Sequence, residues 1–175
     1  MAKSDTFFLR TTVSSSSSSY VSDDIDISAY TNPAEGKVLI CDRAFITYST
    51  VGQGPITYDN IATDGAVGSR QMGAQACSEK QTSLQEVSNN SLFARSNLYA
   101  ANLATDVLAY VNATDALNPT HFVGGFIIPT DAIHCGIDTG VAWAVELDVG
   151  FLFEVHTEKL SLRRIQELLV SLTAN

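Results

Sequence analysis

The chain has 175 residues, with 10 Lys and Arg against 19 Asp and Glu for a formal charge of -9, and it is 45% hydrophobic but only 17% charged. A chain of this length buries roughly two thirds of its unfolded surface, so it folds as one domain without a metal or disulfide staple. The acidic balance, with a pI near 4.5, excludes the clustered Lys and Arg that phosphate binding demands, and no direct nucleic-acid binding is expected.

No apolar run reaches the ~20 residues of a membrane helix, and the opening MAKSDTFFLR lacks the basic and apolar regions of an export signal. The charged fraction, below the ~25% of average soluble domains, points to a surface partly covered by neighbours.

In chain order, residues 5–13 (DTFFLRTTV) are aromatic and β-branched and predict a first strand. The serine run Ser14–Ser19 has no apolar face, so residues 14–22 are expected to form a flexible loop or arm. Alternation around Ile25 and Ile27 predicts a short strand over 23–29, which TNPAEG then breaks. Residues 37–48 form the next strand, with Val38, Ile40, Ala44 and Ile46 on one face and Leu39, Cys41 and Phe45 on the other. Apolar residues on both faces predict a strand covered on both sides.

The middle is turn-rich. It allows a short strand at 56–58, a turn at Asp64-Gly65 and at most two strands within 70–86. A strand is expected over 91–100, with a short helix over 103–111 as the alternative to a further strand. Residues 122–128 and 131–137 predict two buried strands. From Val141 to Val155 every odd position is apolar, a period of 2 over 15 residues. At ~3.3 Å per residue such a strand would run roughly 50 Å, so a bend near Gly150 is expected. After Ser161 the period changes: Leu162, Ile165, Leu168, Leu169 and Leu172 make one stripe on a C-terminal helix over 161–173. That helix either covers an open edge or end of the fold or docks on a neighbouring subunit.

Few residues suggest chemistry. Cys41, Cys77 and Cys135 are irregularly spaced and are expected reduced and buried, with one disulfide plus a free thiol as the alternative. His121, His134 and His156 match no zinc spacing. His134 and Cys135 are strand neighbours and point to opposite faces, so they make no catalytic dyad. His156 is expected solvated. Asp23, Asp24 and Asp26 are expected at a solvated strand entry, with a calcium ion as the alternative. Glu146 and Asp148 share a strand face at a spacing a glycosidase pair would use, but without an aromatic platform they are expected to face solvent. The sequons at Asn89 and Asn112 carry no weight without a secretory signal. No catalytic, cofactor or metal residues are assigned, and no enzyme activity is expected.

The order of elements is more informative. The block IDISAYTNPAEGKVLICDRAFITYS, the closing VAWAVELDVGFLFEVHTEKLSLRRIQELLVSL and about eight turn-separated strands between residues 5 and 158 resemble the small single jelly-roll capsid proteins of tailless icosahedral viruses. The resemblance implies an all-β fold, a single jelly-roll β-sandwich over residues 1–175 with a short C-terminal amphipathic helix. It further implies a coat subunit made in the host cytoplasm and resident in the virion shell. Its partners would be other copies of itself, a second coat protein and an internal membrane. The chain departs from many coat proteins in having no basic N-terminal arm, which puts direct genome packaging in doubt. The alternative is a carbohydrate-binding or adhesin-type β-sandwich module, which requires exposed aromatics or a calcium cluster. An enzyme on the same fold requires convergent His, Cys or carboxylate groups.

Overall fold

The computed structural model describes residues 5–52, 54–61, 68–104 and 107–172. Its strands are β1 (Phe7–Ser15), β2 (Val21–Asp26), β3 (Lys37–Thr50), β4 (Ser69–Cys77), β5 (Leu92–Ala104), β6 (Val107–Leu117), β7 (Phe126–Ile128), β8 (Ala132–Asp138) and β9 (Leu147–Lys159). Two helices accompany them, α1 (Tyr58–Ile61) and α2 (Leu162–Leu172). One sheet has the order β1-β9-β3-β7 and the other β2-β8-β4-β5-β6. The antiparallel pairs β1 with β9, β2 with β8, β3 with β7 and β4 with β5 nest as the rungs of one long hairpin rolled onto itself. That connectivity is a jelly roll, with β6 added outside β5.

β9 is central in its sheet because its odd positions are apolar and both its edges are paired. Leu147, Val149, Phe151, Phe153 and Val155 are all buried and meet the small, apolar inner face of the second sheet, including Ala74, Ala76, Leu98 and Ile137. Phe93 bridges the layers, with its ring 5.7 Å from Phe153 and 5.1 Å from Phe126.

The expected strand over 141–155 is shorter at its start. Val141 and Val145 are exposed, and the amides of Trp143 and Ala144 bond to the carbonyls of Ser16 and Asn60 rather than to a ladder. This stretch wraps the end of the sandwich and buries Trp143, whose indole donates to the Gln71 carbonyl at 3.3 Å.

The faces expected for residues 37–48 also change partway. A register shift between Cys41 and Arg43 inserts a bulge at Asp42. Leu39 and Cys41 face the core before it, and Ala44 after it, so Phe45 falls on the outer side and is 46% exposed. Such a bulge switches the parity of a strand. Before it, Val38 and Ile40 point outward, and α2 covers them: Ile165 packs on both, with Leu160 and Ile127 alongside. α2 therefore lies on a sheet face rather than over an edge. Ser161 caps it, its hydroxyl accepting from the Arg164 amide at 3.3 Å. Only part of the apolar stripe is used, since Leu162 and Leu169 stay exposed.

Other expectations shift less. β1 continues through Ser15 and β2 begins at Val21, so the loop is Ser16–Tyr20, tied down where the Thr139 hydroxyl donates to the Ser17 carbonyl at 2.6 Å. Among the described residues of the alternative helix over 103–111, 103–104 and 107–111 lie in the β5–β6 pair instead. In place of a strand at 56–58 the chain makes the helical turn α1. The strand expected over 122–128 shrinks to β7, because Gly124 and Gly125 adopt left-handed φ of 82° and 80°. The turn at Asp64-Gly65 lies outside the described residues.

Candidate functional site

Strand alternation disperses the residues that could carry chemistry. The three cysteines are free thiols in the core. Burial pushes the Cys77 thiol up to about 12, and it raises Cys41 and Cys135 as well, so none is a nucleophile at neutral pH. His134 sits on the opposite face from Cys135, 2.7 Å from an Asp24 oxygen.

The acidic cluster is split between partners. Asp23 accepts from the Thr11 hydroxyl at 2.6 Å, Asp24 takes His134 and Lys80, and Asp26 accepts from the Ser28 amide at 2.8 Å. Burial pushes the Asp24 carboxyl up, but His134 and Lys80 together outweigh it and hold it below the ordinary carboxylate value. Among the described residues no group of three or more His, Cys, Asp or Glu side chains converges as a metal site would. Asp148 accepts from the Ser14 hydroxyl at 2.6 Å, while Glu146 precedes β9 and shares no strand face with it.

His156 departs from expectation. It is buried, with Nδ1 2.6 Å from an Asp42 oxygen. It lies opposite Ile40, on the outer face that α2 covers, and the bulge supplies its carboxylate partner. The imidazole is almost fully buried, while the Asp42 carboxylate that holds it is 29% exposed. His121 closes a 3-10 turn, its Nδ1 accepting from the Asn118 amide at 3.3 Å.

A concavity of about 660 Å³ lies between α2, the β6–β7 connection and the approach to β5. Its walls are mostly apolar (Leu92, Phe126, Leu168, Leu172), with His121 and Arg164 as its titratable groups. Both are engaged, His121 by Asn118 and Arg164 by Glu167 at 3.6 Å. No convergent set of free polar groups marks it as a reaction site.

Gln75 was not legible as important. It is fully buried on β4 yet points away from the core, donating to the Tyr20 hydroxyl at 3.0 Å and the Ser83 carbonyl at 2.9 Å and accepting from the Gln85 amide at 2.7 Å. It pins the β4–β5 connection across the outer face of the second sheet, where Leu84 packs on Gly73. Only the polar outer position of a small-residue strand hinted at this.

β6 is the most unusual surface element. It lies beyond β5 and, among the described residues, has no strand opposite it in the first sheet, which ends at the three-residue β7. Every residue from Val107 to Ala116 is exposed, on both faces of the strand. Val107, Leu108, Tyr110 and Val111 are between 39% and 52% exposed, and neighbouring Tyr99 and Leu103 extend the apolar band onto β5. The strand carries one charge, Asp115. No protein-family model matches the chain, and no curated protein matches it.

Proposed function

We propose that this chain is a structural subunit of a virus capsid that associates with copies of itself through its sandwich surface to build the virion shell. The observation that carries the reading is β6, an apolar, charge-poor strand exposed on both faces of a jelly roll. Isolated exposed apolar residues are ordinary, but a contiguous band of them marks an interaction surface. The dispersal of His, Cys and carboxylate groups supports a non-catalytic role, and the charge of -9 supports contacts with protein rather than with a genome.

Sedimentation velocity and electron microscopy at low and high salt test the proposal. Like-charged copies repel, so raising salt should screen the repulsion and promote ordered assemblies. A strictly monomeric protein at high micromolar concentration in both salts would refute it.

A second reading, a carbohydrate-binding module, draws on Tyr99 and Tyr110. Both line one shallow concavity of about 230 Å³ with Arg70 and Gln71, which gives the aromatic platform such a module requires. Saturable binding of a glycan by the monomer, lost in Tyr110→Ala, would favour it.

A further inference from the structure

We infer that the outer face of β4, β5 and β6 is a binding site for a neutral oligosaccharide, centred on Tyr99 and running from Asp138 to Tyr110. The inference goes beyond the coat-subunit role. It deepens the carbohydrate-binding reading and rests on it, because it extends the hollow beside Tyr99 and Tyr110 into a longer groove.

Strand register builds the groove. Met72 and Leu98 face the core, so Gln71, Gly73, Asn97 and Tyr99 face outward. Across the ladders Gln71 stands beside Tyr99 and Tyr99 beside Asn112, while Gly73 lies between Asp138 and Asn97. One hollow of about 330 Å³ reaches Asp138 and Asn97, and the hollow of about 230 Å³ reaches Tyr110; Gln71 and Tyr99 line both. The larger falls within the ~300–1,000 Å³ of small-molecule sites, and the smaller lengthens it. Gly73 leaves the floor without a side chain, and Leu84 of the β4–β5 connection borders it. Four strands lie side by side from β8 to β6, so the groove runs ~14 Å at ~4.8 Å per strand spacing, room for more than one sugar ring.

The polar groups select the ligand. The side-chain amides of Gln71, Asn97 and Asn112 make no hydrogen bond to any described residue. Each offers N–H donors and a carbonyl acceptor, a pairing that a sugar hydroxyl, itself donor and acceptor, satisfies. Tyr99 and Tyr110 are 42% and 52% exposed on the same face, and their rings offer apolar surface to the C–H faces of sugar rings. The charged residues are turned back to the chain. Arg95 donates to the Gln85 carbonyl, Arg70 donates to the Ser69 carbonyl at 2.9 Å, and Asp138 accepts from the Gly140 amide at 3.0 Å. An apolar ligand would strip water from the three amides without replacing its hydrogen bonds, and an anion would meet a chain of charge -9.

An array of immobilised neutral and anionic oligosaccharides tests the site, followed by titration calorimetry of the full chain with the neutral oligosaccharide that binds best. Saturable binding is expected. Tyr99→Ala should weaken it about tenfold by removing the stacking surface, and Gln71→Ala with Asn97→Ala about tenfold by removing hydrogen bonds. All three side chains lie outside the core, so circular dichroism should be unchanged. Phe8→Ala, which removes an exposed aromatic from β1, should bind like the parent. Preference for anionic oligosaccharides, or parental affinity in the double amide variant, overturns the inference. Binding lost only in Tyr110→Ala would then leave the carbohydrate-module reading standing on the smaller hollow alone. No saturable binding of any oligosaccharide overturns both and leaves the coat role untouched.

Discussion

The bulge at Asp42 makes a quantitative distinction between two phenylalanines. Phe153 is 0% exposed and packs between Phe93 at 5.7 Å and Phe151 at 6.3 Å. Truncation to alanine loses about 1.5–3 kcal/mol of transfer free energy. A residual cavity of ~80 Å³ adds about 2 kcal/mol at ~24 cal/mol per Å³, for a total of about 4 kcal/mol. Phe45 is 46% exposed, opposite Leu152 on the outer side of the sheet. Its truncation loses about half of a transfer term and closes no cavity, about 1 kcal/mol. Urea denaturation reads both as shifts in midpoint at constant slope. For 175 residues at ~2.1 cal/mol/K each, the melting temperatures should fall by about 11 °C for Phe153→Ala and about 3 °C for Phe45→Ala. Equal losses would return Phe45 to the core beside Leu39 and Cys41 and remove the bulge.

The three thiols should be inert toward an aromatic disulfide at neutral pH in the folded protein and all react once urea unfolds it; prompt modification of any thiol in the native state would contradict their burial. Asp24, held below its ordinary value of 3.8, stabilises the fold above that value, and the contribution disappears as pH falls through its lowered native value. Asp24→Asn should therefore cost stability near neutrality, within about 1 kcal/mol because the carboxylate is 38% exposed, and match the parent in strong acid. A loss that is the same at every pH would show that the ion pair is not its cause.

The elements legible in the sequence are those whose periodicity had no competitor. The odd positions of β9 and the helical stripe of α2 each obey one period; α2 lies within a residue of its expected bounds, while β9 keeps the expected inward face but starts six residues later, at Leu147, and runs on to Lys159. β5 and β6 were ambiguous because their Leu and Ala residues fit a helix locally, and only the cross-strand pairing decides for strands. The bulge left no mark because Asp42 among apolar residues looks like an ordinary outward carboxylate. His156 reads as solvated for the same reason: it falls on the polar side of the alternation, and only tertiary cover buries it. Alternation did correctly separate His134 from Cys135, since that separation is local geometry.

The same bulge alters the grounds for association. Apolar residues on both faces of residues 37–48 call for cover on both sides, from within the chain or from a neighbour. In the folded chain that cover is internal: after Asp42 the outer positions include the half-exposed Phe45, and before it Val38 and Ile40 are closed by Ile165. β3 therefore creates no demand for a partner. β6 does, because its sheet extends one strand past the other and Val107, Leu108, Tyr110 and Val111 stay between 39% and 52% exposed. Association through β6 would remove part of that apolar band from water, whereas Ile165 of α2 is already spent on Val38 and Ile40 within the chain.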